Sequence, residues 1–142
     1  MDELKYFPLP QQLLYWARSR PDAVALRQKE FGIWHSWNWQ QVGSIVGEIA
    51  NGLLSLDFQP GQCAAILANT RVEWVWADMA TLSCAGVTNG VYPTDASEQL
   101  QYLCEDSRTR FLFVEDDEQL DKALEVRSAL PLLRKIVVFD ME

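Results

Sequence analysis

Apolar residues recur along this chain with two periods, and the changes between them mark out the elements. Over 9–19, LPQQLLYWARS, Leu9, Leu13, Leu14, Trp16 and Ala17 fall at helical spacing, and Pro21 ends the run. AVALRQ, 23–28, and IWHSW, 33–37, read as strands. Ile33, His35 and Trp37 alternate with Trp34 and Ser36, and Phe31-Gly32 before them makes the pair an antiparallel hairpin. From Asn38 the helical period returns, with Val42, Ile45, Val46, Ile49, Leu53 and Leu56 on one face. Asn38 and Gln41 have capping-box form, in which each side chain satisfies an orphan N–H of the first turn. Gly43 and Gly47 weaken this helix by about 1 kcal/mol each relative to alanine. They lie one turn apart, which predicts a stripe where a neighbouring element packs closely.

Past the Pro60-Gly61 turn, CAAILA, 63–68, is a continuous apolar run, as a strand buried on both faces requires. Thr70 with Glu73 predicts a second capping box. The helix it opens, Glu73 to Ala85, is apolar nearly all round, so it is sandwiched and not surface-lying. Trp74 and Trp76 belong to that core, and Gly86 suits the C-terminal cap. VTNGVY is a strand, and Asp95 with Glu98 caps a third helix carrying Ala96, Leu100, Leu103 and Cys104 on one face. RFLFV, 110–114, is a strand, a helix from about Asp117 to Ala129 buries Leu120, Ala123 and Leu124, and KIVVF, 135–139, closes the series after Pro131. Strand and helix therefore alternate from Gln62 onward, which calls for parallel strands joined by right-handed helical crossovers. The predicted fold is α/β: a parallel sheet with helices on both faces, preceded by a helix and an antiparallel hairpin. One signal disagrees. Asn89-Gly90 favours a two-residue hairpin turn, but its arms would be too short and it would interrupt the crossovers.

Composition narrows the function classes. The chain has 142 residues and no composition shift or low-complexity linker, so 1–142 reads as a single domain. Net charge is −8, which argues against nucleic acid as a partner, because phosphate binding needs a basic face. Six acids lie between Glu115 and Glu125, opposed only by Lys122, and read as the solvated start of a helix. No stretch approaches the roughly eighteen apolar residues of a membrane span, so any membrane contact is peripheral. MDELKYFPLP lacks the pattern of a signal peptide. Cys63, Cys84 and Cys104 have no metal-ligand spacing and read as buried small hydrophobes of a reducing, cytoplasmic compartment.

In an open parallel sheet ligands sit beyond the carboxyl ends of the strands. Here those ends are Ala68-Asn69-Thr70, Val91-Tyr92-Pro93-Thr94 and Val114-Glu115-Asp116. None carries a phosphate-cradling glycine pattern, and no Ser or Cys has a His near it in sequence. His35, the lone histidine, reads as a partly buried structural residue. Trp34, Trp37 and Trp39 read as hairpin packing in preference to an aromatic platform. The chain thus supplies walls and no catalytic groups.

The hairpin GIWHSWNW, the helix start NTRVEW and the run VYPT…SEQ…YL…DS, in that order and spacing, resemble the N-terminal portion of AMP-forming acyl-CoA synthetases. The long-chain fatty acid–CoA ligase branch is the nearest, and the resemblance spans about Pro8 to Asp140. The family usually has Thr at Asn38, and Gly-Asp-Arg-Val or close to it at Gly61-Gln62-Cys63-Ala64. The resemblance implies that the intact enzyme joins a fatty acid to ATP, with Mg²⁺ offsetting phosphate charge, and then passes the acyl group from AMP to CoA. It implies that the ATP-binding and catalytic motifs lie beyond Glu142, so that 1–142 is inactive alone and carries no bound cofactor. It places the loop equivalent to Tyr92, Pro93 and Thr94 near CoA, as a possible mouth of the thiol tunnel; a plain Pro-fixed turn with Thr94-Asp95 capping the next helix is the other reading. Arginines that hold CoA phosphate in some relatives are replaced here by Glu115, Asp116, Asp117 and Glu118. Acyl carrier protein as the acceptor, and a noncatalytic α/β interaction module, remain as alternatives. A partial sheet also predicts a bare edge or apolar patch that self-associates.

Overall fold

The computed structural model describes residues 7–141. Residues 1–6, part of the stretch inspected for a signal peptide, and residue 142 lie outside them. Helix α1 (Leu9–Ser19) carries proline in its first turn, where a missing N–H costs nothing, and buries Leu13. Strands β1 (Val24–Glu30) and β2 (Ile33–Asn38) pair antiparallel. Phe31 and Gly32 turn between them with φ of 45° and 84°. Helix α2 (Trp39–Ser55) begins in the predicted capping box. The Gln41 N–H donates to Asn38 Oδ1 at 2.8 Å, and the Asn38 N–H donates to Gln41 Oε1 at 2.9 Å.

Then come β3 (Cys63–Leu67), α3 (Val72–Ser83), β4 (Val87–Val91), α4 (Ser97–Asp106), β5 (Thr109–Val114), α5 (Asp117–Val126) and, after a short 3₁₀ turn, β6 (Lys135–Val138). The four strands are parallel in the order β4-β3-β5-β6. Asn89 and Gly90 do not bend the chain. They run straight through β4, opposite Ala65 and Ile66. Asn89 donates through Nδ2 to the Leu103 carbonyl at 3.4 Å and to Ser107 Oγ at 3.3 Å, so tertiary contacts outweigh its turn preference.

Pleating divides the core into two layers. Ala64, Ile66, Phe111 and Phe113 face a layer built with α1, α2 and α3, while Ala65, Leu67, Leu112 and Val114 face α4 and α5. Helices therefore cover both faces. The three cysteines are buried free thiols, and burial lifts Cys104 from an ordinary 9.0 to about 11.

Several local expectations are corrected. Thr70 does not cap α3: Arg71 holds the N-cap position, and the Val72 N–H donates to Gln28 Oε1 at 2.8 Å, a cap delivered by the hairpin from 44 residues away. Asp95 does not cap α4, which starts after Ala96 without a side-chain cap. Ala85, with φ of 55°, takes the left-handed position after α3, closed by the Gly86 N–H to the Thr81 carbonyl. Gly86 is glycine for another reason, since an added Cβ would lie 2.6 Å from the Phe58 ring. Gly43 is a packing position, its Cβ site lying 3.0 Å from Ala17 Cβ, but nothing approaches Gly47 within 4 Å. Trp37 packs edge-on against Trp76 and Trp39 lies beside Trp16, whereas Trp34 and His35 are exposed because they lie towards the free end of the ribbon.

Candidate functional site

From β3 the chain moves out to β4 and then returns to the other side of β3 to form β5. The order reverses between β3 and β5, and the crevice at their carboxyl ends is where such sheets hold ligands. A polar network fills it. Glu115, directly after β5, accepts through one carboxylate oxygen from the Asn69 N–H at 2.6 Å and Asn69 Nδ2 at 2.9 Å. Arg71 grips Glu73 with two bonds of 2.7 and 3.2 Å, and lies 3.6 Å from Glu115 and 3.9 Å from Asp140. The hydrogen bonds to Glu73 are the main cause of an Arg71 pKa held above its ordinary value; burial opposes them, and the charges of Glu73, Glu115 and Asp140 add to them. Glu115 is therefore no part of a solvated charge run. Asp116 is the residue that caps α5, accepting from the Gln119 N–H at 3.0 Å.

One strand over, Tyr92-Pro93-Thr94 forms a turn closed by the Asp95 N–H on the Tyr92 carbonyl at 3.0 Å. Pro93 sits at the second position, where its fixed φ suits the bend. Lys122 on α5 donates to the Pro93 carbonyl and so anchors the turn from a neighbouring helix of the same layer. Its ammonium is also 3.8 Å from Glu118. The Tyr92 ring stands 76% exposed beside a groove of about 450 Å³ between the ends of β3 and β4. Asn69, Thr70, Trp74, Gly90, Tyr92 and Pro93 line it, and Thr94 does not. Gly90 faces the Trp74 indole, where an added Cβ would make ordinary van der Waals contact at 3.5 Å.

The groove offers an aromatic floor, an amide and a hydroxyl. Asn69 gives its backbone N–H and one Nδ2 bond to Glu115, and Arg71 is paired with Glu73 and flanked by Glu115 and Asp140, so the positive charge nearest the groove is offset by carboxylates. The lining fits an uncharged flat or extended group and carries no nucleophile–base pair. Among the described residues no cluster of three or more His, Cys, Asp or Glu side chains is placed to hold a metal. Sequence reasoning found the Tyr92 turn and the three strand ends. It missed Trp74 as floor, Lys122 as anchor and the Asn69–Glu115–Arg71 network. For Lys122, its isolation in an acidic run was the available signal.

Residues 13–142 match the family of AMP-binding enzymes. The chain belongs to that family. Within it, the long-chain-fatty-acid–CoA ligase FadD15 of Mycobacterium tuberculosis is 31% identical over 120 residues, covering 84% of this chain and 20% of that protein. The long-chain-fatty-acid–CoA ligase ACSBG1 of Rattus norvegicus is 30% identical over 115 residues, covering 81% and 16%. The chain thus spans between about a sixth and a fifth of the length of the curated relatives it matches. The A-PCP didomain of the carboxylic acid reductase of Segniliparus rugosus, solved with AMP, superposes with a TM-score of 0.86 over 96% of this chain and 22% of that one, at 17% identity, and bears out the α/β fold.

Proposed function

We propose that residues 1–142 form a single unit at the start of the large domain of an AMP-forming long-chain fatty acid–CoA ligase. That enzyme couples a fatty acid to ATP, with release of pyrophosphate, and hands the acyl group to CoA. The observation that carries the reading is the family match over residues 13–142 on a sheet whose β3 and β4 ends enclose the groove. The chemical logic is that a carboxylate has a poor leaving group and adenylation supplies a good one.

Within that reading, Tyr92, Pro93 and Thr94 form part of the thiol tunnel mouth. Trp74 and Tyr92 give apolar faces against which an uncharged stretch of the thiol donor lies, and Asn69 and Thr70 border it. Lys122 holds the turn in place. Phosphate-holding cations come from elsewhere in the enzyme, because Arg71 is paired with Glu73 and Lys122 donates to the Pro93 carbonyl. Open edges at β4 and β6 are where further segments of the enzyme, or a second copy, would pair. Buried free thiols suit a cytoplasmic setting.

The test is Tyr92→Ala in the full-length ligase. The expected result is an apparent KM for CoA raised about fivefold, from roughly 1 kcal/mol of lost aromatic contact, with unchanged pyrophosphate release. An unchanged KM removes the turn from the thiol site. Thioester formation with acyl carrier protein in place of CoA decides the acceptor, and 1–142 alone is expected to release no pyrophosphate.

A further inference from the structure

The β1–β2 hairpin ends in a tip that the fold does not need to be apolar. Phe31 is fully exposed at 102%, Ile33 at 63% and Trp34 at 64%. Phe31 stands in the left-handed region, φ 45°, where aromatic residues are rare and asparagine or glycine would turn the chain at lower cost. A strained position that displays a ring to solvent asks for a reason outside folding stability.

The two faces of the ribbon differ. Leu26 and Trp37, paired across the strands, pack against the core, and Gln28 with His35 and Glu30 with Ile33 continue that face outward. The opposite face carries Arg27 paired with Ser36 and Lys29 paired with Trp34. It therefore presents two cations, a hydroxyl, an indole and no acid, on a chain whose net charge is −8. Glu30, at the end of the core-side face, is the one acid beside the tip. Aromatic rings flanked by long cationic side chains suit the boundary between lipid headgroups and acyl chains, where rings settle and cations reach phosphates.

Position adds a second argument. Gln28 caps the start of α3 at the carboxyl edge of the sheet, so the tip three residues on projects beyond the edge that carries the groove. No helix among the described residues is long and apolar enough to cross a membrane, and contact through this tip is peripheral.

The geometry points to a lipid-interface anchor: Phe31, Ile33 and Trp34 enter the headgroup layer of an anionic bilayer, while Arg27 and Lys29 contact its phosphates.

Flotation of the full-length protein with vesicles of phosphatidylcholine and phosphatidylglycerol in equal parts tests it. The wild-type chain is expected to float with these vesicles and to release as salt rises, with weaker binding to phosphatidylcholine alone. Phe31→Gly, which suits the backbone and retains the fold, is expected to lower the bound fraction about tenfold, as is Trp34→Ser. Lys29→Glu lowers binding to anionic vesicles alone. Absence of wild-type flotation, or equal flotation of Phe31→Gly and Trp34→Ser, overturns the anchor. So does sedimentation showing that the tip closes a dimer which Phe31→Gly dissolves. Because no CoA or ATP enters the assay, its failure leaves the ligase reading standing.

Discussion

Strands β3 and β5 and the hairpin β1–β2 are built from similar residues under opposite constraints. Residues 63–67 and 111–114 are buried without exception, because layers of helix lie on both sides of them. The hairpin has one face on the core and one in water, and its tip is free on all sides. In the central strands, apolar identity is explained entirely by burial. In the hairpin the base is explained by burial and the tip is not, and that contrast makes Phe31 and Trp34 informative.

Truncation at the sheet centre should do the most damage. Phe111 is fully buried and edge-on to Phe58 at 5.4 Å, so Phe111→Ala should cost about 3–5 kcal/mol in denaturant unfolding. A change near zero would show that the two layers are not packed as described. Gly86→Ala drives a methyl into the Phe58 ring on the same core layer, and a loss of about 1–3 kcal/mol is expected.

Titration separates the layers more gently. The Cys104 pKa is raised to about 11, mainly by burial, partly offset by its hydrogen bond with Thr109 and reinforced by Cys63. The folded state thus favours the protonated thiol. Its stabilisation is complete below about pH 9 and is lost as pH rises from 9 to 11, about 1 kcal/mol by pH 10. Urea melts at pH 8 and 10 should show this loss in the wild-type chain and a smaller one in Cys104→Ala, where Cys84, also raised by burial, still contributes. Gains of about 0.5–1 kcal/mol are expected from Gly47→Ala, where the added methyl meets open space. A similar or smaller gain is expected from Phe31→Gly, which relieves a left-handed aromatic. A stabilising change at the tip beside a crippling one at Phe111 would sharpen the contrast.

The same contrast explains what was legible in the sequence. The strands and their alternation with helices were readable because burial on both faces writes continuous apolar runs, and crossover helices write their own period. Asn38 and Gln41 could be read because they cap each other within one turn. Thr70 with Glu73 has the same form and failed, because Gln28 arrives from the hairpin to take the Val72 N–H and Arg71 takes the carboxylate. Glu115 looked solvated because its partner, Asn69, is 46 residues away. Local pattern records a residue's neighbours in sequence, and the crevice is made by neighbours in space. His35 and Trp34 were misjudged for the same reason: alternation predicts which face a residue takes, not how far along the ribbon the core extends.

Parallel strands whose carboxyl ends meet at one edge build the groove. Interstrand nuclear Overhauser contacts in the labelled chain test this most directly. The predicted pattern places Ile66 beside both Gly90 and Phe113, with Leu67 beside Val91 and Val114, in parallel register. Contacts pairing Thr88 with Val91 across a bend at Asn89-Gly90, with Ile66 remote from Gly90, would contradict the sheet, the groove and the function read from them.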